Sequence, residues 1–213
     1  MQPHQLEVVH LGRSDYQATW AAMRDYTHQR IAQTSDQLWI TEHPPVFTQG
    51  LNGRALHVLD PGNIPLVQVD RGGQVTYHGP GQLIIYCLLD LNRCGLGVKR
   101  LVAKIEQSII ALLESYHIEA HARAGAPGVY VDQAKIAALG LRIRKGCCYH
   151  GLSLNVDMEL EPFSRIDPCG YPGLAVTQLR DLGVKISVEQ AGYELADLIK
   201  GLLSEKESGN TGR

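Results

Sequence analysis

The sequence contains no apolar run approaching the ~18 residues that mark a membrane-spanning helix, so no such helix is expected. Its opening stretch, MQPHQLEVVH, lacks a basic segment followed by an apolar one, and no secretory signal is expected. Neither G-x-x-x-x-G-K-[ST] nor G-x-G-x-x-G occurs, which excludes the two common phosphate-cradling loops. Charge of one sign is also missing: 20 basic residues stand against 22 acidic ones, for a net charge of -2. There is no global pull toward nucleic acid or an anionic membrane, and a charged partner must meet a local patch. The five cysteines, at 87, 94, 147, 148 and 169, form no C-x-x-C pair, and their odd number cannot complete a disulfide framework. A reducing compartment, the cytoplasm, is expected.

What is present suits a packed core. The apolar share is 44% of 213 residues, and a chain of this size buries about 70% of its unfolded surface. One catalytic domain is expected over residues 1–205, with a polar tail over 206–213. Ser14 with Gln17 resembles a capping box for a helix to about Gln33, with Tyr16, Trp20, Met23 and Ile31 on one face. Leu38–Thr41 and Leu66–Val69 read as short strands separated by a loop over 42–64. Leu83–Leu91 is a nearly continuous apolar run, as in a buried strand. Apolar spacing near 3.6 predicts a helix over Val98–His117. Three neighbouring strands follow over Gly128–Val131, Lys135–Ile143 and Cys148–Val156, joined by turns at 132–134 and 144–147. Residues 157–173 read as irregular. A short helix is expected over Thr177–Leu182, ending at Gly183, and Ser187 caps a last helix to about Ser204. This order predicts an α+β (mixed α/β) fold, with helices packed on a mixed, partly antiparallel sheet.

The densest chemical signal is RGGQVTYHGPGQ at 71–82. Four glycines there allow close approach of backbone to a ligand, and Arg71, Thr76, Tyr77, His78 and Gln82 place polar groups among them. Cys169 sits in Asp167-Pro168-Cys169-Gly170, where Pro restricts the backbone and Gly relaxes it. Such a thiol is either a small buried hydrophobe or a reactive group, and spacing alone leaves both open. Cys87, inside IIYCLLDL, fits burial. Cys148 and His150, two apart on a strand, should face the same side. No second pair completes a four-ligand zinc site, so with Cys147 they read as packing plus a strand-surface histidine, and no metal or cofactor is expected. Lys135 opens an apolar strand and is either a solvated strand end or a functional amine. Arg142, Arg144 and Lys145 form a basic cluster, either a solvated face or a site for an acidic protein.

Several segments in one order resemble the lipoyl/octanoyl transferase family: EHPPVFTQG (42–50), RGGQVTYHGPGQLIIYCLLDL (71–91), GAPGVYV (125–131), KIAALGLRI (135–143), HGLSLNV (150–156) and FSRIDPCG (163–170). The resemblance implies a fold related to biotin and lipoate ligase catalytic domains. It implies transfer of an octanoyl group from octanoyl-acyl carrier protein to a lysine amine on lipoyl domains, those of 2-oxoacid dehydrogenases and the glycine cleavage H protein, by a monomer. Cys169 becomes the nucleophile and Lys135 its acid/base partner. The substrate pocket falls on Arg71, Gly72, Gly73, Gln74, Val75, Thr76, Tyr77 and His78, on Ala138, Leu139 and Gly140, and on Gly151, Leu152 and Ser153. Oxyanion donors are expected from backbone N–H groups near Cys169 and from His78 or its loop.

The implied chemistry is physically reasonable. Lowering a thiol from ~8.5 to half-ionisation at neutral pH corresponds to ~2 kcal/mol, which one close ammonium can supply. Seven chain carbons beyond the carbonyl contribute about 5 kcal/mol at ~0.8 each if an apolar slot receives them. The small residues Gly73, Ala138, Gly140 and Gly151 would leave that space. Thioester exchange followed by aminolysis needs no ATP. Three other readings remain at this stage: an ATP-dependent ligase of the same fold, a non-catalytic acyl-binding module and a thioesterase.

Overall fold

The computed structural model describes residues 6–204, apart from the side chain of Cys169. The expected tail over 206–213 lies outside the described residues. The chain runs β1 (Leu6–Arg13), α1 (Tyr16–His28), β2 (Asp36–Glu42), β3 (Val46–Gln49), β4 (Leu66–Gln68), β5 (Val75–His78), β6 (Gln82–Asp90), α2 (Leu91–Cys94), α3 (Val98–Ser115), β7 (His121–Ala122), β8 (Gly128–Val131), β9 (Ala134–Arg144), β10 (Cys147–Asn155) and α4 (Val188–Ser204). Short 3-10 turns cover Ala55–His57, Glu161–Arg165, Pro168–Gly170 and Arg180–Leu182.

Two sheets organise these elements. The larger has seven strands in the order β1-β2-β6-β10-β9-β8-β7, parallel at β1/β2 and antiparallel elsewhere. The smaller is β4-β3-β5, with β3 parallel to β4 and antiparallel to β5. The α+β class with a mixed, partly antiparallel sheet is therefore observed.

Side-chain alternation along β6 explains the layering. Leu83, Ile85, Cys87 and Leu89 face the main core, where Leu101, Ile105, Leu195 and Ile199 of α3 and α4 cover them. Ile84, Tyr86 and Leu88 face the other side, packed with Met23 of α1, Trp39 and Tyr149. A strand buried on both faces has to be apolar almost throughout, as the 83–91 run is. Among the described residues, no helix is long and apolar enough to cross a membrane.

The structure corrects several local expectations. Asp15, not Ser14, caps α1: its Oδ1 accepts from Ala18 N at 2.9 Å, while Ser14 Oγ bonds Thr19 and Thr41. The helix stops at His28, and Ile31 is exposed beyond it. Strand β1, absent from the sequence reading, adds in parallel to β2 at the sheet edge. Residues 42–64 are not all loop, because β3 finds partners on both sides in β4 and β5. The expected helix at 177–182 shrinks to a 3-10 turn over 180–182, though Gly183 ends it with φ 87°. Ser187 does cap α4, its Oγ accepting from Gln190 N at 3.0 Å. The turn after β9 has two residues, Lys145 and Gly146, both with positive φ, as a type I′ hairpin requires.

Candidate active site

The face of the large sheet opposite α3 and α4 carries the site. Ala138 pairs with Ser153, and Gly140 pairs with Gly151, across β9 and β10. Small residues facing each other leave a notch in the sheet surface. The glycine-rich segment lies over that notch, with Gly72 N donating to Leu141 O at 2.9 Å. A Cβ on Gly140 would stand 3.0 Å from Arg71 Cδ and 3.2 Å from Gly72 O, so a glycine here lets the two segments close together. The Arg71 guanidinium is buried and straps the segment to β3, donating to Thr48 O (2.7 Å), Thr48 Oγ1 (2.9 Å) and Gly72 O (2.9 Å).

Together these residues line a narrow pocket, about 500 Å³ with the open space at its mouth included. Of the residues expected in the pocket, Arg71, Gly73, Gln74, Val75, Thr76 and His78 line it, as do Ala138, Leu139, Gly140, Gly151, Leu152 and Ser153. Gly72 instead lines an open groove next to the cavity. Tyr77 turns the other way, because β5 alternates, and packs on Phe47 and Phe163.

Lys135 is buried, not solvated, at 4% exposure. Its Nζ donates to Pro127 O at 3.2 Å and lies 5.1 Å from the centroid of the Tyr130 ring. Gly128 makes room for it: a Cβ there would lie 3.3 Å from Nζ. The Lys135 backbone is clamped to a distant segment, donating to Ala175 O (2.8 Å) and accepting from Thr177 N (3.0 Å). Lys135 shares a small cavity with Pro168, Thr76, Ala138 and Ser153. The last three also line the larger pocket, so the two spaces are neighbours.

The Cys169 backbone lies in the turn Pro168–Gly170, and its thiol lies outside the described residues. Two anchors hold the turn. Upstream, Asp167 Oδ2 meets His57 Nδ1 at 3.0 Å, Asp167 N donates to His57 O, and Val58 bridges Ile166. On its inner side, Gly170 packs directly on the Gln74 amide. The loop containing residues 51–64 thus positions the turn, although nothing in its sequence pattern marks it for that task.

Behind the cavity lies a buried polar cluster that sequence reasoning missed. Tyr16, Tyr86 and His150 join the lining, and His43 stands behind them, its Nε2 2.6 Å from Tyr86 Oη. His150 is not a strand-surface residue facing the same side as Cys148. Its φ of 59° turns the ring to the cavity side, while Cys148 stays in the main core. There Asp70 accepts from His150 Nε2 (2.9 Å), Trp20 Nε1 (2.9 Å) and Tyr149 Oη. Burial opposes the Asp70 carboxylate, but these three donors outweigh it and hold the group well below its usual range. Burial pushes His150 and His43 down, keeping both imidazoles neutral at pH 7.

His78 is held down to about 3, first by burial and then by His43 and Arg71. Its tautomer follows from its neighbours. Asn155 Nδ2 donates to Thr177 O (2.9 Å), so Asn155 Oδ1 accepts from Gln82 Nε2 (2.9 Å). Gln82 Oε1 then accepts from His78 Nδ1–H at 2.7 Å. The remaining ring nitrogen, Nε2, carries a lone pair and no proton, so it is an acceptor. The expected oxyanion role therefore does not fit the His78 ring.

A family model of the lipoyl protein ligase A/B catalytic domain matches residues 15–199. The chain belongs to that family. Within it, an octanoyltransferase of Shewanella sp. (strain ANA-3) is 58% identical over 203 residues, covering 95% of this chain and 94% of the relative. Among solved structures, a lipoate-protein ligase A bound with ATP superposes with a TM-score of 0.72 at 15% identity, covering 97% of each chain. A biotin protein ligase from Aquifex aeolicus in complex with biotin and ATP gives 0.56 at 14% identity, over 92% of this chain and 70% of that one. At such identities the two structures establish the shared fold alone.

Proposed function

We propose that the protein transfers an octanoyl group from octanoyl-acyl carrier protein to a lysine of lipoyl domains through a thioester on Cys169. One observation carries the proposal: the cavity over the β9–β10 notch adjoins a smaller one shared by Lys135 and Pro168, the residue before Cys169. A family relative 58% identical to this chain is an octanoyltransferase. Residues 1–205 act as one catalytic unit, in the cytoplasm, where free thiols persist.

The Cys169 thiolate, favoured by the Lys135 ammonium, attacks the donor thioester carbonyl. The C–S bond to the carrier breaks, and its thiolate leaves with a proton from Lys135. Octanoyl-Cys169 and a neutral Lys135 remain. The acceptor lysine, as the free amine, attacks the new thioester. Its excess proton passes to Lys135 as the bond to Cys169 breaks, restoring the thiolate–ammonium pair. Backbone N–H groups of the 168–170 turn are the proposed donors to the oxyanion. The acyl chain enters the pocket over the β9–β10 notch. Arg142 and Arg144, which follow Ala138 and Gly140 at two-residue steps on the same strand face, meet the acidic carrier protein.

The decisive test is intact mass. Incubation with octanoyl-carrier protein and no ATP should add one octanoyl group, mapped to Cys169, and a lipoyl domain added later should discharge it. Normal transfer by Cys169→Ser, or a strict need for ATP, would remove the acyl-cysteine mechanism and favour adenylating chemistry instead.

A further inference from the structure

Gln74 presents an unmet hydrogen-bonding need at the centre of the site. Its Oε1 is buried and has no hydrogen-bond partner among the described residues. A buried acceptor left without a donor is costly, and native proteins seldom keep one without use. The amide lies against Gly170, in the turn that carries Cys169. Gln74 also lines both the narrow pocket and the open groove beside it, and Lys135 lines that same groove. Gln74 therefore stands where pocket, groove and the Cys169 turn meet, its unsatisfied oxygen covered until the site opens to a substrate.

The two substrates differ in what they can offer this oxygen. A thioester brings only acceptors to the reacting centre. The attacking lysine brings N–H donors, and it must enter from the open side. Resting on the acyl-cysteine reading above, we infer that Gln74 Oε1 accepts an N–H of the incoming lysine amine and aims its lone pair at the acyl-Cys169 carbonyl. A neutral primary amine has two N–H bonds and one lone pair. With one N–H on Gln74 and the other directed to neutral Lys135, the lone pair is left facing the carbonyl. As the new C–N bond forms, the nitrogen gains positive charge and its N–H becomes a stronger donor, so the contact tightens toward the transition state. The proton then goes to Lys135 and the C–S bond breaks. Gln74 itself gains and loses nothing. Its proposed role is positioning of the amine in the second half-reaction.

Single-turnover kinetics on the full chain separate the two halves. Wild type and Gln74→Met are loaded from octanoyl-carrier protein, and the octanoyl-enzyme is then discharged with either a lipoyl domain or dithiothreitol. The thiol needs no N–H acceptor, so it reports damage to the site that is unrelated to the amine. For Gln74→Met, the ratio of lysine discharge to thiol discharge should fall about tenfold or more below wild type, whatever its loading rate. Equal losses to both nucleophiles, or undiminished transfer to lysine, would overturn the assignment. If Gln74→Met does not fold, Gln74→Glu decides: it keeps an oxygen at the site, and lysine discharge from its loaded form should stay within about threefold of wild type, whereas a loss of about tenfold overturns the role. A wild type that takes no octanoyl group on Cys169 sinks the acyl-cysteine reading and this assignment with it. A loaded wild type matched by Gln74→Met in lysine transfer sinks the assignment alone.

Discussion

The two faces of the large sheet are built from the same strands by opposite rules. Under α3 and α4, β6 and β10 present Leu83, Ile85, Leu152 and Leu154 to helices that supply more aliphatic carbon. On the other face, the strands present Tyr86, Gly151, Ser153 and, through a positive φ, His150. The first face needs only volume and hydrophobicity. The second carries, beside the apolar patch around Met23 and Trp39, a set of oriented donors and acceptors. Stability and activity are thus assigned to opposite sides of one layer, and the two should separate under mutation.

The largest effect expected from that separation is on stability. Leu195→Ala, in the fully buried row of α4, should cost about 2–5 kcal/mol in urea unfolding. Transfer per folded molecule should be unchanged well below the transition. A proportional fall in turnover would mean that the faces are coupled.

The next effect distinguishes the faces by acid. His78 is held to about 3, against an ordinary value near 6.5. Below that ordinary value, the unfolded chain binds a proton that the folded chain refuses. The His78 contribution to stability is therefore fully present above pH ~6.5 and is lost as pH falls toward 3. His78 alone accounts for about 2 kcal/mol between pH 7 and pH 5, and His43 and His150 are shifted the same way. Leu195→Ala should run parallel to wild type across this range, and His78→Gln should be flatter. A wild-type profile that is level from pH 7 to pH 5 would contradict the neutral cluster.

The smallest effect is at the rim. Arg142→Glu with Arg144→Glu should raise the KM for carrier-protein donor about three- to tenfold at low ionic strength, with the difference shrinking as salt is added. Unchanged kinetics at low salt would remove the basic cluster from donor capture.

The sequence exposed the two faces unequally. The helical face was legible because local periodicity encodes it: Leu101, Ile105, Ile109 and Leu112 repeat every turn of α3 and are all buried. The glycine-rich stretch was legible because its composition is unusual. The polar cluster was not, since Tyr16, His43, Tyr86 and His150 come from four separate segments and none carries a local signature. Strand β1 was missed because its partner, β2, lies beyond an intervening helix. Strand β3 was hidden by Pro44 and Pro45, which mark a loop start but say nothing of the strands that flank Val46–Gln49 in space. His150 failed for a different reason: alternation assumes regular strand dihedrals, and a φ of 59° reverses the direction of one side chain.

The clamp on Lys135 has a consequence for the integrity of the site. Residues up to 167 belong mechanically to the 57–60 segment, which holds them through His57, Val58, Leu59 and Asp60. Residues 175–177 belong to Lys135. Between these anchorages the chain crosses Tyr171, Pro172 and Gly173, all exposed. A single proteolytic cut there would leave both sheets and every helix intact. It would nevertheless leave the Cys169 turn at the end of one fragment and the 175–177 clamp on Lys135 at the start of the other.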